Sequence, residues 1–366
     1  MIPYGHQSIN QQDIAAVKKQ LTSGWLTQGP IGKKFEAELS RVTGTKYAIA
    51  VSSGTAALHV AYLAAGIGRG DEVITTANTF VATTNMLLAV GVKPVFCDIR
   101  LDTYNIDQNK IEEKITKKTK AIVAVHFAGQ PAAMAAIKKI ARRHQLLLIA
   151  DACHALGATY QSKKIGRVAD LSVLSFHPVK SITTGEGGAI VTDDKKLADK
   201  MFLLRTHGIH KNTAGRNVMT ELGYNYRLSD IQAALGVSQL RRLNLFIKKR
   251  QAVVKWYAQE LKNNPHVVLP QQVAGGQSAW HLYVIRVNPR SRDQLAKYLS
   301  ALGIGVNFHY PAVYAHPYYR RNGYRRTSLL NTDLYAATSL TLPCYPDLTQ
   351  ARVKFIAKKI NSFFAR

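Results

Sequence analysis

Residues 46–80 read KYAIAVSSGTAALHVAYLAAGIGRGDEVITTANTF, and the change of period within them decides the fold. Residues 46–51 form a short apolar run with strand character. The small turn Ser52-Ser53-Gly54 separates it from 55–65, where apolar residues recur at helical spacing. Residues 72–76 repeat the strand pattern and 80–90 the helical one. The alternation continues outward, with strands at 94–97 and 121–126, a helix at 132–144 and a strand at 146–150. Short β-rich runs separated by helical segments predict an α/β fold, a mainly parallel sheet flanked by helices on both faces. In such a sheet the loops at the carboxyl ends of the strands form the ligand crevice.

Further along, 171–176 and 189–192 read as strands around a Gly-rich turn. Residues 230–263 are helical in pattern, with an interruption expected at Gly236. The texture then changes to a strand at 280–287, a helix at 293–302, a strand at 305–308 and a terminal helix at 351–364. This predicts a large domain over 1–240 and a smaller C-terminal α+β domain over 241–366. Neither an internal repeat nor a low-complexity tract stands out.

The chain has 366 residues, 46% hydrophobic and 19% charged, as a globular protein does. Lys plus Arg number 49 against 22 Asp plus Glu, a net charge of +27. That excess favours anionic partners: a nucleotide, a nucleic acid or a membrane surface. The three cysteines, Cys97, Cys153 and Cys344, are too few and too scattered for a disulfide scaffold or a zinc site. The start, MIPYGHQSIN, lacks the cationic and apolar pattern of a signal peptide, and no apolar run nears the roughly 20 residues of a membrane span. A reduced, cytoplasmic setting is expected, with no membrane partner.

Chemistry is expected just after the strands. The turn Ser52–Thr55 opens a helix with small residues, so backbone N–H groups can meet a phosphate at its positive end. Asp151 follows the apolar strand 146–150; it could bind a metal, act as a base, pair with a protonated ring nitrogen or serve as a cap. Lys180, 29 residues later, lies beyond the strand 171–176 and before the loop Thr183-Thr184-Gly185-Glu186-Gly187-Gly188. A lysine, an Asp and a phosphate cup at one sheet edge are the parts that pyridoxal phosphate (PLP) requires. The amine forms a Schiff base with the aldehyde, and the carboxylate keeps the pyridine nitrogen protonated.

Five stretches carry a resemblance: SSGTAALH at 52–59, TANTFVATTNMLL at 76–88, DACHALGATY at 151–160, SFHPVKSITTGEGG at 175–188 and GYNYRLSDIQAALG at 223–236. Over nearly its whole length the sequence resembles the DegT/DnrJ/EryC1/StrS family of sugar aminotransferases, which have the fold-type I PLP architecture. It is most similar to the branch that makes pseudaminic-acid precursors, through His154, SFHPVK and VNFHYPAVY. The resemblance implies that Lys180 carries the cofactor and moves the proton, and that Asp151 pairs with the pyridine nitrogen. It implies that Phe80 stacks on the ring, that Gly54, Thr55 and Ser175 hold the phosphate, and that His154 lies beside the cofactor as a third catalytic residue. Asn225 is expected to reach the phosphate of a partner subunit, so that a homodimer shares its sites. Tyr4, Trp25, Leu26, Thr27, His309 and Tyr310 match segments that line the sugar-nucleotide site. No metal is expected. The implied substrates are glutamate and a UDP-linked 2-acetamido-4-keto-2,6-dideoxyhexose, aminated at C4.

Other readings stay open. A dTDP-linked ketosugar is the main rival substrate, and the residues do not separate C3 from C4 amination. Pyridoxamine-phosphate-dependent sugar dehydratases of this family replace the lysine with histidine, which Lys180 opposes, and the intact Lys180–Asp151 pair opposes a non-catalytic binding protein that kept the fold. Tyr318-Tyr319-Arg320-Arg321-Asn322-Gly323-Tyr324-Arg325-Arg326 interleaves aromatics and arginines, as some nucleic-acid-binding segments do. The other basic residues are scattered in pairs such as Lys117-Lys118, Lys138-Lys139 and Arg241-Arg242, so a solvated basic face is expected and a nucleic-acid partner is not.

Overall fold

The computed structural model describes residues 1–324 and 327–365; Arg325, Arg326 and Arg366 lie outside the described residues. Seven strands form the central sheet: β1 (Tyr47–Val51), β2 (Glu72–Thr76), β3 (Lys93–Cys97), β4 (Thr119–Val125), β5 (Leu147–Asp151), β6 (Leu171–Ser175) and β7 (Gly188–Thr192). Their order is β1-β7-β6-β5-β4-β2-β3. Neighbours run parallel except β7, which is antiparallel to both β1 and β6. Alternate residues enter different cores. Ile122, Ala124 and Leu148 pack on one face, while Ala121, Val123 and Ile149 pack on the other. A sheet covered on both faces buries most positions of its strands, which is why they read as mainly apolar runs with small polar residues such as Thr75 and Ser172 among them.

Helix α3 (Gly54–Ala64) covers one face, with α4 (Ala82–Ala89) beside it and α6 (Lys195–Arg205) nearby. The other face takes α2 (Pro30–Thr43), α5 (Met134–Arg143) and α7 (Asp230–Leu240), with α1 (Gln11–Leu21) on the outer side of α7. The helical pattern from 230 does not break at Gly236. Gly236 lies inside α7 because a Cβ there would run into the Phe35 ring of α2. The break falls instead at Arg241–Arg242, before α8 (Leu243–Leu261). Helix α4 begins at Ala82 rather than Phe80, so Phe80 stands in the turn ahead of it.

The small lobe pairs β8 (Tyr283–Arg286) with β9 (Ser339–Leu342), packed on α9 (Pro289–Ala301), α10 (Leu330–Thr338) and α11 (Gln350–Phe364). The strand expected at 305–308 is reduced to one bridge, Asn307 to Thr341. Helix α8 serves both cores: Leu243, Phe246 and Ile247 join the large lobe, and Val253, Tyr257 and Leu261 the small one. The chain start also joins the small lobe, with Ile2 bridging to Ile304.

Midway along α8, Arg250 is 1% exposed. Its guanidinium donates to the carbonyls of Cys344 at 2.7 Å, His281 at 3.1 Å, Trp280 at 3.2 Å and Val179 at 3.4 Å. Burial holds its pKa below the usual arginine value. Replacing Arg250 by Met leaves the Cys344, His281 and Val179 carbonyls without that donor, and an orphaned buried acceptor costs about 1–3 kcal/mol. Removing a buried charge offsets part of that. The expected result is a loss of about 2–4 kcal/mol in urea unfolding. A variant as stable as the parent would show that the carbonyls do not need the guanidinium.

Candidate active site

The carboxyl ends of β1, β5 and β6 open into one cleft of about 470 Å³. Strand β7 brings them together. Its first residue, Gly188, pairs with Val51 on one side and Ser175 on the other. A Cβ on Gly188 would collide with the Ser53 carbonyl, so glycine lets the turn after β1 lie across the start of β7. Gly54 is equally confined: a Cβ would sit 2.9 Å from that of Ser175. This close approach places the N-terminus of α3 against Ser175. Ser53 caps that helix by accepting from the Ala56 N–H at 3.0 Å, and its carbonyl takes the Ala57 N–H. The N–H groups of Gly54 and Thr55 are thus left to an anion at the positive helix end.

Asp151 closes β5 and is 6% exposed. Its Oδ2 accepts from the Thr83 hydroxyl at 2.7 Å and its Oδ1 from the Cys153 N–H at 3.2 Å. Thr83, on α4, also meets Thr79 at 2.7 Å. Lys180 lies in the loop after β6 and lines the same cleft. Burial pushes its ammonium down to about 8, against the opposing pull of Cys153 and Asp151. An amine with that value is a nucleophile and a proton carrier near neutral pH.

The Ala128 N–H donates to Nδ1 of His154 at 3.3 Å, which assigns the ring proton to Nε2, 3.4 Å from the Tyr310 hydroxyl. Burial, then the charge of Lys180, holds His154 well below the usual imidazole pKa. His309 meets the Thr341 hydroxyl at 2.8 Å, and burial pushes its pKa down to about 3. Both rings are neutral. Phe80 stays half-exposed in the cleft, its ring 5.8 Å from that of Tyr310.

The structure therefore brings together Tyr4, Gly54, Thr55, Phe80, Asp151, His154, Ser175, Lys180, His309 and Tyr310. It does not bring Trp25, Leu26, Thr27 or Asn225 to this chain's own cleft. Those four are exposed; Thr27 bridges to Ser229 and Asn225 to Thr206. Thr83 and His281 also line the cleft and escaped the sequence reading. Thr83 is one of many small residues in its segment, and His281 is a lone histidine before a strand; neither carries a local signal.

Among the described residues no group of three or more His, Cys, Asp or Glu could hold a metal. The donor set suits a phosphorylated pyridine aldehyde instead. The free helix N-terminus and Ser175 suit the phosphate, the acceptor-only carboxylate suits a protonated ring nitrogen, and the buried amine suits the aldehyde.

A lysine whose folded pKa lies below its unfolded value binds fewer protons folded than unfolded between about pH 8 and 10.5. It therefore destabilises the cofactor-free protein below pH 8, and stability returns as pH rises through that window. Lys180→Met should be more stable than the parent at pH 7, by about 3 kcal/mol at most, with the difference gone above pH 10.5. Paired urea melts of the cofactor-free proteins across this range check the sign; a pH-independent difference would refute it.

Comparison with known proteins agrees with this geometry. Residues 7–361 match the DegT/DnrJ/EryC1/StrS aminotransferase family. The spore coat polysaccharide biosynthesis protein SpsC of Bacillus subtilis is 38% identical over 374 residues, spanning 98% of this chain and 96% of SpsC. Helicobacter pylori PseC, an aminotransferase involved in the biosynthesis of pseudoaminic acid, superposes with a TM-score of 0.94 at 34% identity, covering 100% of this chain and 99% of PseC. The PLP form of the putative sugar aminotransferase Spr1654 of Streptococcus pneumoniae superposes at 0.95 and 28% identity, covering 100% and 99%. With its fold-type I sheet, buried lysine and phosphate cup, this chain belongs to the DegT/DnrJ/EryC1/StrS aminotransferase family, transaminases that use pyridoxal phosphate.

Proposed function

We propose that the protein transfers the amino group of glutamate to C4 of a UDP-linked 4-keto-6-deoxy-N-acetylhexosamine, on the route to pseudaminic acid. The observation that carries the chemistry is the meeting, in one cleft, of a buried amine, a hydrogen-bonded carboxylate and a free helix N-terminus. The choice of sugar rests on the similarity to PseC over the whole chain. When bound, pyridoxal phosphate supplies an aldehyde that joins amines and a ring that takes up the electrons left by a departing proton.

The chain's residues do the rest. Lys180 holds the cofactor at rest; its Nζ then takes the proton from the donor carbon and returns one at sugar C4. Asp151 keeps the ring nitrogen protonated, oriented by Thr83 and by the Cys153 N–H. Gly54, Thr55 and Ser175 hold the phosphate. Phe80 would stack on the ring, with His154 beside it as a neutral group. Tyr4, His309 and Tyr310 contact the sugar from the small-lobe side of the cleft. Lys180→Ala should keep the fold and lower turnover by at least about 10²–10⁴-fold. Incubation with glutamate and UDP- or dTDP-linked ketosugars, with NMR location of the new amine, tests the substrate. Amination of only a dTDP sugar, or at C3, would overturn the assignment.

Asn225, Trp25, Leu26 and Thr27 are assigned to the partner's site in a homodimer. Tyr224 and Tyr226 stack at 5.0 Å, and both face His59 of α3, while Asn225 between them stays exposed. Trp25 at 57%, Met219 at 60% and Leu222 at 71% exposure add apolar surface on segments near it. Mixing Lys180→Ala with Asn225→Ala protein, each nearly inactive alone, should restore one intact site per heterodimer. No recovery despite demonstrated subunit exchange would refute the shared site.

A further inference from the structure

We propose that His281 positions the free ε-amine of Lys180, accepting a hydrogen bond from it through Nε2 and so confining the group that carries the proton. This rests on the reading of Lys180 given above. His281 Nε2 lies 3.5 Å from Lys180 Nζ, and the residue is 3% exposed. Its ring lies 4.4 Å from that of His154. Its Nδ1 is buried with no hydrogen-bond partner among the described residues. An imidazole that accepts through Nε2 carries its proton on Nδ1, so the orphan is a donor. A buried donor without an acceptor destabilises a fold, and packing alone gives no reason to keep it.

The backbone here is held on every side. The Ala279 N–H donates to the Gly129 carbonyl at 3.0 Å and the Leu282 N–H to that of Ala128 at 3.3 Å. The carbonyls of Trp280 and His281 accept from Arg250. Trp280 has φ +49°, a left-handed conformation that a bulky residue adopts only under constraint. Strain of this kind, beside an unpartnered polar group, fits a side chain placed for function.

A long lysine side chain loses its anchor whenever its amine is released. An acceptor at a fixed point limits where Nζ can go, and small misplacements of a reacting group are costly in rate. The acceptor must be neutral. Burial holds His281 well below the usual imidazole pKa, followed by the charges of Lys180 and Arg250. The groups that face Lys180 are Asp151 and Cys153 at the end of β5, His177 in its own loop, Arg250 on α8, and the neutral rings of His154, His281 and His309. Only His281 among these rings has a hydrogen-bond contact with Nζ.

Two measurements on three variants test this. The first follows labelling of Lys180 by trinitrobenzenesulfonate in the cofactor-free protein, by peptide mass spectrometry across pH. His281→Phe removes the acceptor and leaves the ammonium less supported, so the labelling midpoint should fall by about one unit. His281→Gln can present an acceptor near the Nε2 position and should keep the parent midpoint. His281→Asn is too short and should behave like the Phe variant. The second measurement is steady-state kinetics of the holoenzyme. Here kcat should fall about 10–100-fold in the Phe and Asn variants with KM little changed, and Gln should recover most of it. The Phe variant should also melt no lower than the parent, since it deletes the orphaned donor. A parent-like labelling midpoint in both Phe and Asn variants overturns the proposal. So does equal loss of turnover in the Gln and Phe variants. The labelling readout needs neither cofactor nor sugar, so failure of the assigned reaction leaves it standing and is seen separately.

Discussion

Arg250 places a full positive charge where water does not reach and gives it main-chain carbonyls rather than a carboxylate. Those four carbonyls come from three stretches of the chain. Val179 precedes Lys180, Trp280 and His281 lead into β8, and Cys344 follows β9 in the small lobe. One side chain thus ties the loop after β6 to both edges of the cleft. Its charge also acts at a distance, because in a low-dielectric interior like charges interact strongly. Arg250 adds to the burial that depresses the Lys180 ammonium. The group that fixes the cleft's shape also helps to set its chemistry.

Much of this arrangement was legible in the sequence, for a physical reason. A parallel sheet covered on both faces buries most strand positions, so strands and helices alternate as distinct textures along the chain. Loops at the strand ends then carry the function, and Ser52–Thr55, Asp151 and Lys180 all fall there. What stayed hidden depends on contacts between distant segments. Gly236 looks like a helix breaker, yet it is a packing site for Phe35. The break at Arg241–Arg242 has no glycine or proline to mark it. Helices α1 and α2 were not read at all, although Asn10 and Gly29-Pro30 mark their starts. The N-terminus of α2 is bound by Asp230, some 200 residues away, through the N–H groups of Gly29 and Gly32. His281 reaches Lys180 across 101 positions.

The basic-aromatic stretch shows the same limit from the other side. A platform for stacking bases needs exposed rings. Tyr319 is 2% exposed, and the Tyr324 hydroxyl donates to the Pro94 carbonyl at 3.0 Å, so both rings point into the protein. They pack with Phe96 of β3, and only Tyr318 stays outside. Among the described residues of this stretch, Tyr319 and Tyr324 anchor it to the protein while Arg320 and Arg321 are exposed.

These anchors bear on the site through α4. Thr83 and Thr84 are adjacent, and on a helix adjacent side chains point about 100° apart. Thr83 turns inward to Asp151, while Thr84 turns outward and meets the Tyr319 hydroxyl at 2.6 Å. Asn85 meets the same hydroxyl at 2.7 Å. The turn that holds the Asp151 carboxylate is therefore fixed from behind by a tyrosine of the small-lobe segment. Phe80 stands at the head of that turn, with its carbonyl 3.2 Å from the Thr83 hydroxyl. Asp151 at the end of β5 and Phe80, assigned to the edge and the face of one ring, are joined through a single helical turn. Their relative position then depends on a strand end and that turn rather than on two independent loops, and this would suit a site that must hold a planar group between a carboxylate and an aromatic face.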